Sequence, residues 1–296
     1  MRPVKIFSDS CSDLSKDLRE KYDIDYVRMK TIIDGRETDA SLDWEFYSPK
    51  ELYDHLRKGG RVLTAQVPQG EFERAFNAAV EQGCDAIYIS CSVKQTSSVN
   101  TGALVAKAIM EKHPEAKIFC IDSFSACMAE GLVAIRAAEL RDKGLDAQAI
   151  ADEIVKVRKQ ANEFCTVHSL EYFKRAGRIK SSAAFFGNLL GVKPIVIADK
   201  NGNQTPLKKV KGRQTSINEL VNLTKETIVN PEQQTVYIVH ADCNEADLNY
   251  FVETVKREIP CKDVHVSNMG PIIGGTTGPD SLAIFCWGKE VTFEAE

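Results

Sequence analysis

Short apolar runs alternate with amphipathic segments along the first half of the chain. The apolar runs predict strands at 4–7, 86–90 and 117–121, and the segments after the last two predict helices at 99–112 and 125–142. Strands that alternate with helices through short connections are typical of a parallel sheet with helices on its faces. The first half is therefore predicted to be an α/β domain.

The pattern changes after an amphipathic helix predicted at 147–161. A short strand at 163–168, short helices at 170–176 and 183–190, and a hairpin over 192–211 follow. Strand–helix units then continue to a last strand at 282–287. This mixture predicts an α+β second domain, and we place the boundary so that the domains are 1–157 and 158–296.

Composition excludes several classes of protein. The 296 residues carry a formal net charge of −4, which gives no electrostatic footprint for nucleic acid. No apolar run approaches the ~20 residues that span a membrane, and the N-terminus enters a strand at once. We expect a cytoplasmic protein.

The nine cysteines contain no CxxC pair, and the five histidines show no spacing typical of metal ligands. We therefore expect reduced thiols and no metal site.

A loop rich in hydroxyl groups follows the strand at 86–90. It carries Ser92, Thr96, Ser97 and Ser98, but no His, Asp or Glu that would act as a general base. Such side chains either cap helices and shape loops or donate to an oxyanion. Polar residues also follow the strand at 4–7 and the strand at 117–121, and the segment 63–68 carries Thr64 and Gln66. If these segments meet at one edge, they form a cradle for an anionic head group.

Three further segments leave alternatives open. Residues 270–279 (GPIIGGTTGP) are either a tight multi-turn connection or a backbone lining close to a ligand, with Thr276 as a donor. Residues 183–192 are either core or the lining of an acyl tunnel. Two basic runs are either solvated surface or a patch for an acidic protein partner; their candidate partner-binding residues are Lys174, Arg175, Lys208 and Lys209.

Six segments in this order resemble motifs of the DegV family of fatty-acid-binding proteins, which includes the lipid-binding subunits of bacterial fatty acid kinase. The segments are 8–14 (SDSCSDL), 64–72 (TAQVPQGEF), 92–101 (SVKQTSSVNT), 170–179 (LEYFKRAGRI), 193–195 (KPI) and 270–279. The family pattern has hydroxyl residues where this chain has Ala65 and Val93, and a histidine where it has Thr276.

The resemblance implies two domains that hold one long-chain fatty acid, such as palmitate or stearate, in a tunnel between them. It places the carboxylate at Thr64, Thr96 and Arg178, and we add Ser92, Ser97 and Thr276 as further candidate donors. For the tunnel lining we expect Phe185, Phe186, Leu189 and Ile273. The resemblance also implies that a separate ATP-dependent kinase subunit phosphorylates the presented carboxylate.

The resulting prediction is a binding and presentation protein that is not itself an enzyme and needs no cofactor. Two alternatives remain. One is a phosphotransferase or hydrolase that uses the serine-rich loops, although the sequence lacks both GxSxG and a P-loop. The other is a lipid-responsive regulatory module that uses the basic patch.

Overall fold

The computed structural model describes residues 2–180 and 191–294. Its strands are β1 (Val4–Asp9), β2 (Ile24–Val27), β3 (Lys30–Ile33), β4 (Arg36–Asp39), β5 (Val62–Ala65), β6 (Asp85–Ser90), β7 (Ile118–Asp122), β8 (Ala161–Thr166), β9 (Val192–Ala198), β10 (Gln204–Lys211), β11 (Thr235–His240), β12 (Asp263–Asn268) and β13 (Leu282–Trp287). Its α-helices are α1 (Lys16–Tyr22), α2 (Pro49–Arg57), α3 (Gln69–Glu81), α4 (Ser98–Lys112), α5 (Cys127–Asp142), α6 (Ala147–Val157), α7 (Glu171–Ala176), α8 (Arg213–Thr227), α9 (Glu245–Glu258) and α10 (Pro271–Thr277).

A parallel sheet has the strand order β2-β1-β6-β7, which confirms the predicted parallel sheet with flanking helices. Every residue of β6 is buried, as expected for a strand covered on both faces. Because β1, β6 and β7 are neighbours, their carboxyl ends lie at one edge. Hydrogen bonds join the loops there: Ser123 N–H donates to the Ser90 carbonyl at 3.0 Å, and Cys91 N–H donates to Asp9 Oδ2 at 3.3 Å.

A second, mixed sheet has the order β10-β9-β8-β13-β11-β12 within the described residues. Its β11–β12 pair is parallel and its other pairs are antiparallel. The α/β half followed by an α+β half is therefore confirmed. The strands of the parallel sheet fall within 4–122 and those of the mixed sheet within 161–287; the boundary between 157 and 158 stays a prediction.

Helix α5 lies between these two sheets. It packs against β1 and β6 on one side and against β8 and β13 on the other. Its sequence explains this position, because all residues between Cys127 and Ala138 except Glu130 and Arg136 are small or apolar, and a helix that is apolar on nearly all faces is buried.

A small antiparallel sheet has the strand order β4-β3-β5. Its β3–β4 hairpin turns at Asp34 and Gly35, whose φ values of 51° and 80° are the positive angles that the predicted Asp-Gly turn needs. Strand β5 carries Thr64, which pairs with Thr31. Thr64 therefore lies on an antiparallel edge strand, not at the end of a parallel strand.

Of the two alternatives for 270–279, the tight multi-turn connection was wrong, because the segment contains helix α10. The glycines serve close packing: a Cβ on Gly274 would lie 2.2 Å from the Tyr53 hydroxyl oxygen. The helix predicted at 147–161 ends at Val157, and β8 begins at Ala161, two residues before the predicted strand. The helix predicted at 183–190 falls outside the described residues.

Candidate functional site

A cavity of about 230 Å³ opens where the loops of the parallel sheet face β8, β13 and α10. Its mouth is mostly polar and is formed by loops together with residues of β5 and α10, whereas its interior carries mostly apolar and sulfur-containing side chains. Residues at the mouth are Thr64, Ala65, Gln66, Gln95, Thr96, Ser97, Arg178 and Thr276. Interior residues include Met29, Phe173, Met269, Ile272, Ile273, Ala283 and Phe285.

Hydrogen bonds join the two loops that carry Thr64 and Thr96. Ser98 Oγ accepts from the N–H of Val67 at 3.2 Å, and Gln66 Nε2 donates to Thr101 Oγ1 at 3.0 Å. The segment after β5 is thereby fixed against the start of α4. The structure thus brings Thr64 and Thr96 to one mouth, although their strands belong to different sheets.

The Thr96 hydroxyl is set up as a donor by its neighbours. Its Oγ1 accepts from Ser98 N–H at 3.3 Å and lies 2.9 Å from Ser98 Oγ. Ser98 Oγ already accepts from Val67, so its own proton is available for Thr96 Oγ1. When Ser98 donates in this way, the proton of Thr96 is left for a ligand in the cavity.

Arg178 places a positive charge at the same mouth. Its Nε donates to the Gln95 carbonyl at 2.6 Å, and its Nη1 donates to the Ala176 carbonyl at 2.9 Å. These bonds hold the guanidinium across the loop that carries Thr96. A carboxylate at the mouth would therefore meet both hydroxyl groups and a cation.

Two other predicted donors are placed differently. Ser92 is fully buried and is not among the residues that line the cavity; its Oγ accepts from Lys94 N–H at 3.2 Å and shapes the loop. Thr276 lines the cavity, but its hydroxyl donates to the Ile272 carbonyl of its own helix at 3.0 Å. We therefore no longer expect either hydroxyl to donate to a ligand.

Of the predicted tunnel residues, Ile273 lines the cavity. Phe185, Phe186 and Leu189 lie outside the described residues, so their placement stays a prediction.

Glu163 in β8 is a buried carboxyl group in the cavity wall that sequence reasoning missed. Burial raises its pKa to about 7, although hydrogen bonds from the Gln204 side chain and from the N–H groups of Ala126 and Ala198 limit the rise. An acidic residue at the edge of an apolar run gives no sign of burial in the sequence. Its partner Gln204, on β10, becomes a neighbour only through the sheet.

The four predicted partner-binding cations differ in the contacts that they make within the chain. Lys174 and Arg175 are exposed at the end of α7, and the Arg175 guanidinium lies 5.9 Å from the centre of the Tyr172 ring. Lys208 forms an ion pair with Glu219, so part of its charge is offset within the chain. Lys209 is half-buried on β10. Their role in partner binding stays a prediction.

The link between the two loops predicts unequal effects for two adjacent serines. Ser98→Ala removes the acceptor of a buried N–H, so we expect the free energy of unfolding to fall by about 1–3 kcal/mol. Ser97→Ala is the matched control: its side chain is exposed and makes no cap hydrogen bond, so a change within about 0.5 kcal/mol is expected. Urea denaturation measures both, and equal losses would show that the Ser98 bond does not stabilise the mouth.

The sequence matches the family profile described as "Uncharacterised protein, DegV family" over residues 3–289. A "DegV domain-containing protein" of Clostridium perfringens is 34% identical over 288 residues, which cover 97% of this chain and 98% of the relative.

Two solved structures show the same fold. A DegV family protein from Thermus thermophilus, whose structure is described as concerning fatty acid binding, matches with a TM-score of 0.86 at 23% identity and covers 97% of this chain and 100% of its own. A DegV lipid-binding protein from Thermotoga maritima matches with a TM-score of 0.82 at 25% identity, covering 98% and 100% of the two chains. Across the described ranges, no helix combines the length and apolarity needed to cross a bilayer.

Proposed function

The chain belongs to the DegV family, and on that premise we propose that it binds one long-chain fatty acid, such as palmitate or stearate, in the cavity described above. The carboxylate lies at the mouth, where Thr64, Thr96 and Ser97 donate and Arg178 supplies positive charge. The acyl chain extends past Ile273 into the interior. The observation that carries the proposal is this single cavity, which joins a polar mouth to an apolar wall.

Relatives with the same fold support this assignment. The Thermus thermophilus and Thermotoga maritima proteins are described as binding fatty acid and lipid respectively, and both match nearly the whole chain.

The free energy of binding comes mainly from the acyl chain. Burial contributes about 0.8 kcal/mol per CH₂ group, so a ~16-carbon chain offers roughly 12 kcal/mol before the costs of association and ordering. The hydroxyl groups then fix the orientation and satisfy the head group. The wall contributes sulfur atoms from Met29 and Met269, whose flexible side chains adapt to an acyl chain.

The position of the head group suggests what the protein does with its ligand. Thr64 and Ser97 are exposed, so a carboxylate held there stays reachable from outside. No histidine lines the cavity among the described residues. We propose that the protein presents the carboxylate to a separate ATP-dependent kinase subunit, which forms the acyl phosphate, and that Lys174 and Arg175 contact this partner. In this proposal, binding and presenting the fatty acid need no catalytic group and no cofactor from the protein itself.

A head-group variant tests fatty acid binding. Thr96→Ala removes a hydrogen bond to a charged group, worth about 1.5 kcal/mol or more, so the affinity of the delipidated full chain for palmitate should fall at least about tenfold. Thr96→Ser keeps the hydroxyl and should restore it. Calorimetric titration measures the palmitate affinity of wild type and both variants. The same titrations with 1-hexadecanol use a ligand of equal chain length that lacks the carboxylate.

The alcohol separates loss of the head-group bond from general damage. Thr96→Ala should change hexadecanol binding far less than palmitate binding. A folded, delipidated wild-type chain that binds neither ligand would overturn the proposed function. Esterase or ATPase activity that Thr96→Ala abolishes would favour an enzyme instead.

Presentation to a kinase has its own test. Lipid-loaded chain, ATP and candidate kinase subunits are mixed, and acyl phosphate is trapped with hydroxylamine. The double charge reversal Lys174→Glu/Arg175→Glu should slow acyl phosphate formation while palmitate affinity stays unchanged. Equal rates for both proteins would contradict the proposed contact.

A further inference from the structure

Cys11, Cys91 and Glu130 meet beside the cavity although they come from three separate elements. Cys11 follows β1, Cys91 follows β6, and Glu130 lies in the first turn of α5. One donor atom of each lies within 4.8 Å of the donor atoms of the other two. All three are buried, with exposed fractions of 3%, 1% and 0%.

Glu130 shows that this cluster is incomplete. Its Oε1 accepts from Asp9 N–H at 3.2 Å, but its Oε2 has no hydrogen-bond partner among residues 2–180 and 191–294. A buried polar atom without a partner costs free energy, and buried carboxylates are normally paired or bound to a metal. Neither sulfur belongs to a disulfide. The cluster therefore contains two soft donors and one oxygen that lacks a partner.

We propose that Cys11, Cys91 and Glu130 bind one thiophilic divalent cation of the zinc type. The two thiols and the Glu130 carboxyl group lose their protons to solvent as the cation binds, and the resulting carboxylate supplies the oxygen ligand. Cys11 and Cys91 both line the cavity, so a fourth coordination position faces into it. Three protein ligands with an open position is an arrangement that zinc adopts. The proposal does not depend on the chain binding a fatty acid.

The donor atoms lie near the spacing that a tetrahedral zinc site needs. Bonds of about 2.3 Å to sulfur and 2.0–2.2 Å to oxygen in a tetrahedron separate the donors by roughly 3.6–3.8 Å. The three donor atoms all lie within 4.8 Å of one another, which is near this spacing. Met29 is also near, because its sulfur lies 3.4 Å from the Cys11 sulfur. A thioether there adds a further soft atom beside the cation.

Sequence spacing gave no sign of this site, and we expected no metal. Spacing finds ligands that share one loop or helix, whereas these three residues are 39 to 119 positions apart in the chain. They meet because β1 and β6 pair in parallel and α5 packs across both.

Metal titration of the full chain tests the proposal. The protein is purified, reduced, stripped with chelator and titrated anaerobically with Zn²⁺ against a competing chromophoric chelator. We expect one ion per chain. Co²⁺ in place of Zn²⁺ should give the near-ultraviolet charge-transfer band of thiolate coordination.

Single variants identify the ligands. Cys11→Ser, Cys91→Ser and Glu130→Gln should each weaken Zn²⁺ binding at least about tenfold, and both cysteine variants should reduce the cobalt band. Cys261→Ser is the matched control, because Cys261 lies two residues before β12 and belongs neither to the cluster nor to the cavity lining, so it should leave affinity and spectrum unchanged. Circular dichroism confirms that each variant is folded. Reduced wild-type protein that binds no Zn²⁺, or a folded Cys11→Ser/Cys91→Ser double variant that binds it as tightly, would overturn the proposal.

Discussion

Replacing Ile273 with tryptophan should lower the affinity for palmitate roughly 200-fold. Ile273 lines the interior of the cavity from α10, which packs against β5 and α7. The indole ring would occupy space that the acyl chain needs. Excluding about four CH₂ groups from the wall removes roughly 3 kcal/mol, and each 1.4 kcal/mol is a factor of ten in affinity. Calorimetric titration of the delipidated variant with palmitate measures the loss.

Ile273→Val is the matched control, since it shortens the same side chain without blocking the cavity. Its affinity for palmitate should stay within a few-fold of wild type. A shorter ligand gives a second check. Octanoate needs less of the interior, so the ratio of palmitate affinity to octanoate affinity should be smaller for the tryptophan variant than for wild type. A tryptophan variant that binds palmitate like wild type would show that the acyl chain does not pass Ile273.

Glu163 should make the free energy of unfolding fall as pH rises. A salt-bridged carboxylate has the opposite effect. Its folded pKa of about 7 lies above the ordinary value of 4.5, so the folded state holds more protons than the unfolded state between these values. The stabilising contribution of the neutral form is complete below pH 4.5 and is lost as pH rises through 7. The shift of about 2.5 units corresponds to roughly 3 kcal/mol.

Glu163→Gln isolates this contribution because glutamine stays neutral. In guanidinium unfolding, the free energy of unfolding of the variant should rise relative to that of wild type by about 2.5 kcal/mol between pH 5 and pH 8, because part of the change already occurs below pH 5. Effects of other titrating groups cancel in the difference. A difference that is constant with pH would mean that Glu163 is ionised in the folded protein throughout this range.

The alternating strands and helices were predictable because their signals are local. β6 is a short apolar run beside a polar loop, and α4 carries its apolar residues at helical spacing, so both were found to within a residue or two. Helix α10 was missed because glycine and threonine are poor helix formers. Its helix is stabilised by packing that a sequence does not display, such as the close approach of Gly274 to Tyr53.

Part of the candidate site was also predictable from the sequence, and part was not. The hydroxyl-rich loop was visible as a local excess of serine and threonine, and its connection to Thr64 was suggested by family motifs. The contact itself depends on the bond from Val67 to Ser98, which joins residues 31 positions apart. Glu163, Cys91 and Glu130 were invisible as site residues, because only sheet pairing and the packing of α5 bring Glu163 and Cys91 to the cavity wall and Glu130 beside Cys91.

Native mass spectrometry of the delipidated full chain with palmitate tests the central claim most directly. We predict a single adduct with the mass of one palmitate per chain for wild type and its near absence for Ile273→Trp. Equal adducts on both proteins, or no adduct on a folded wild-type chain, would contradict the claim that this cavity holds a long-chain fatty acid.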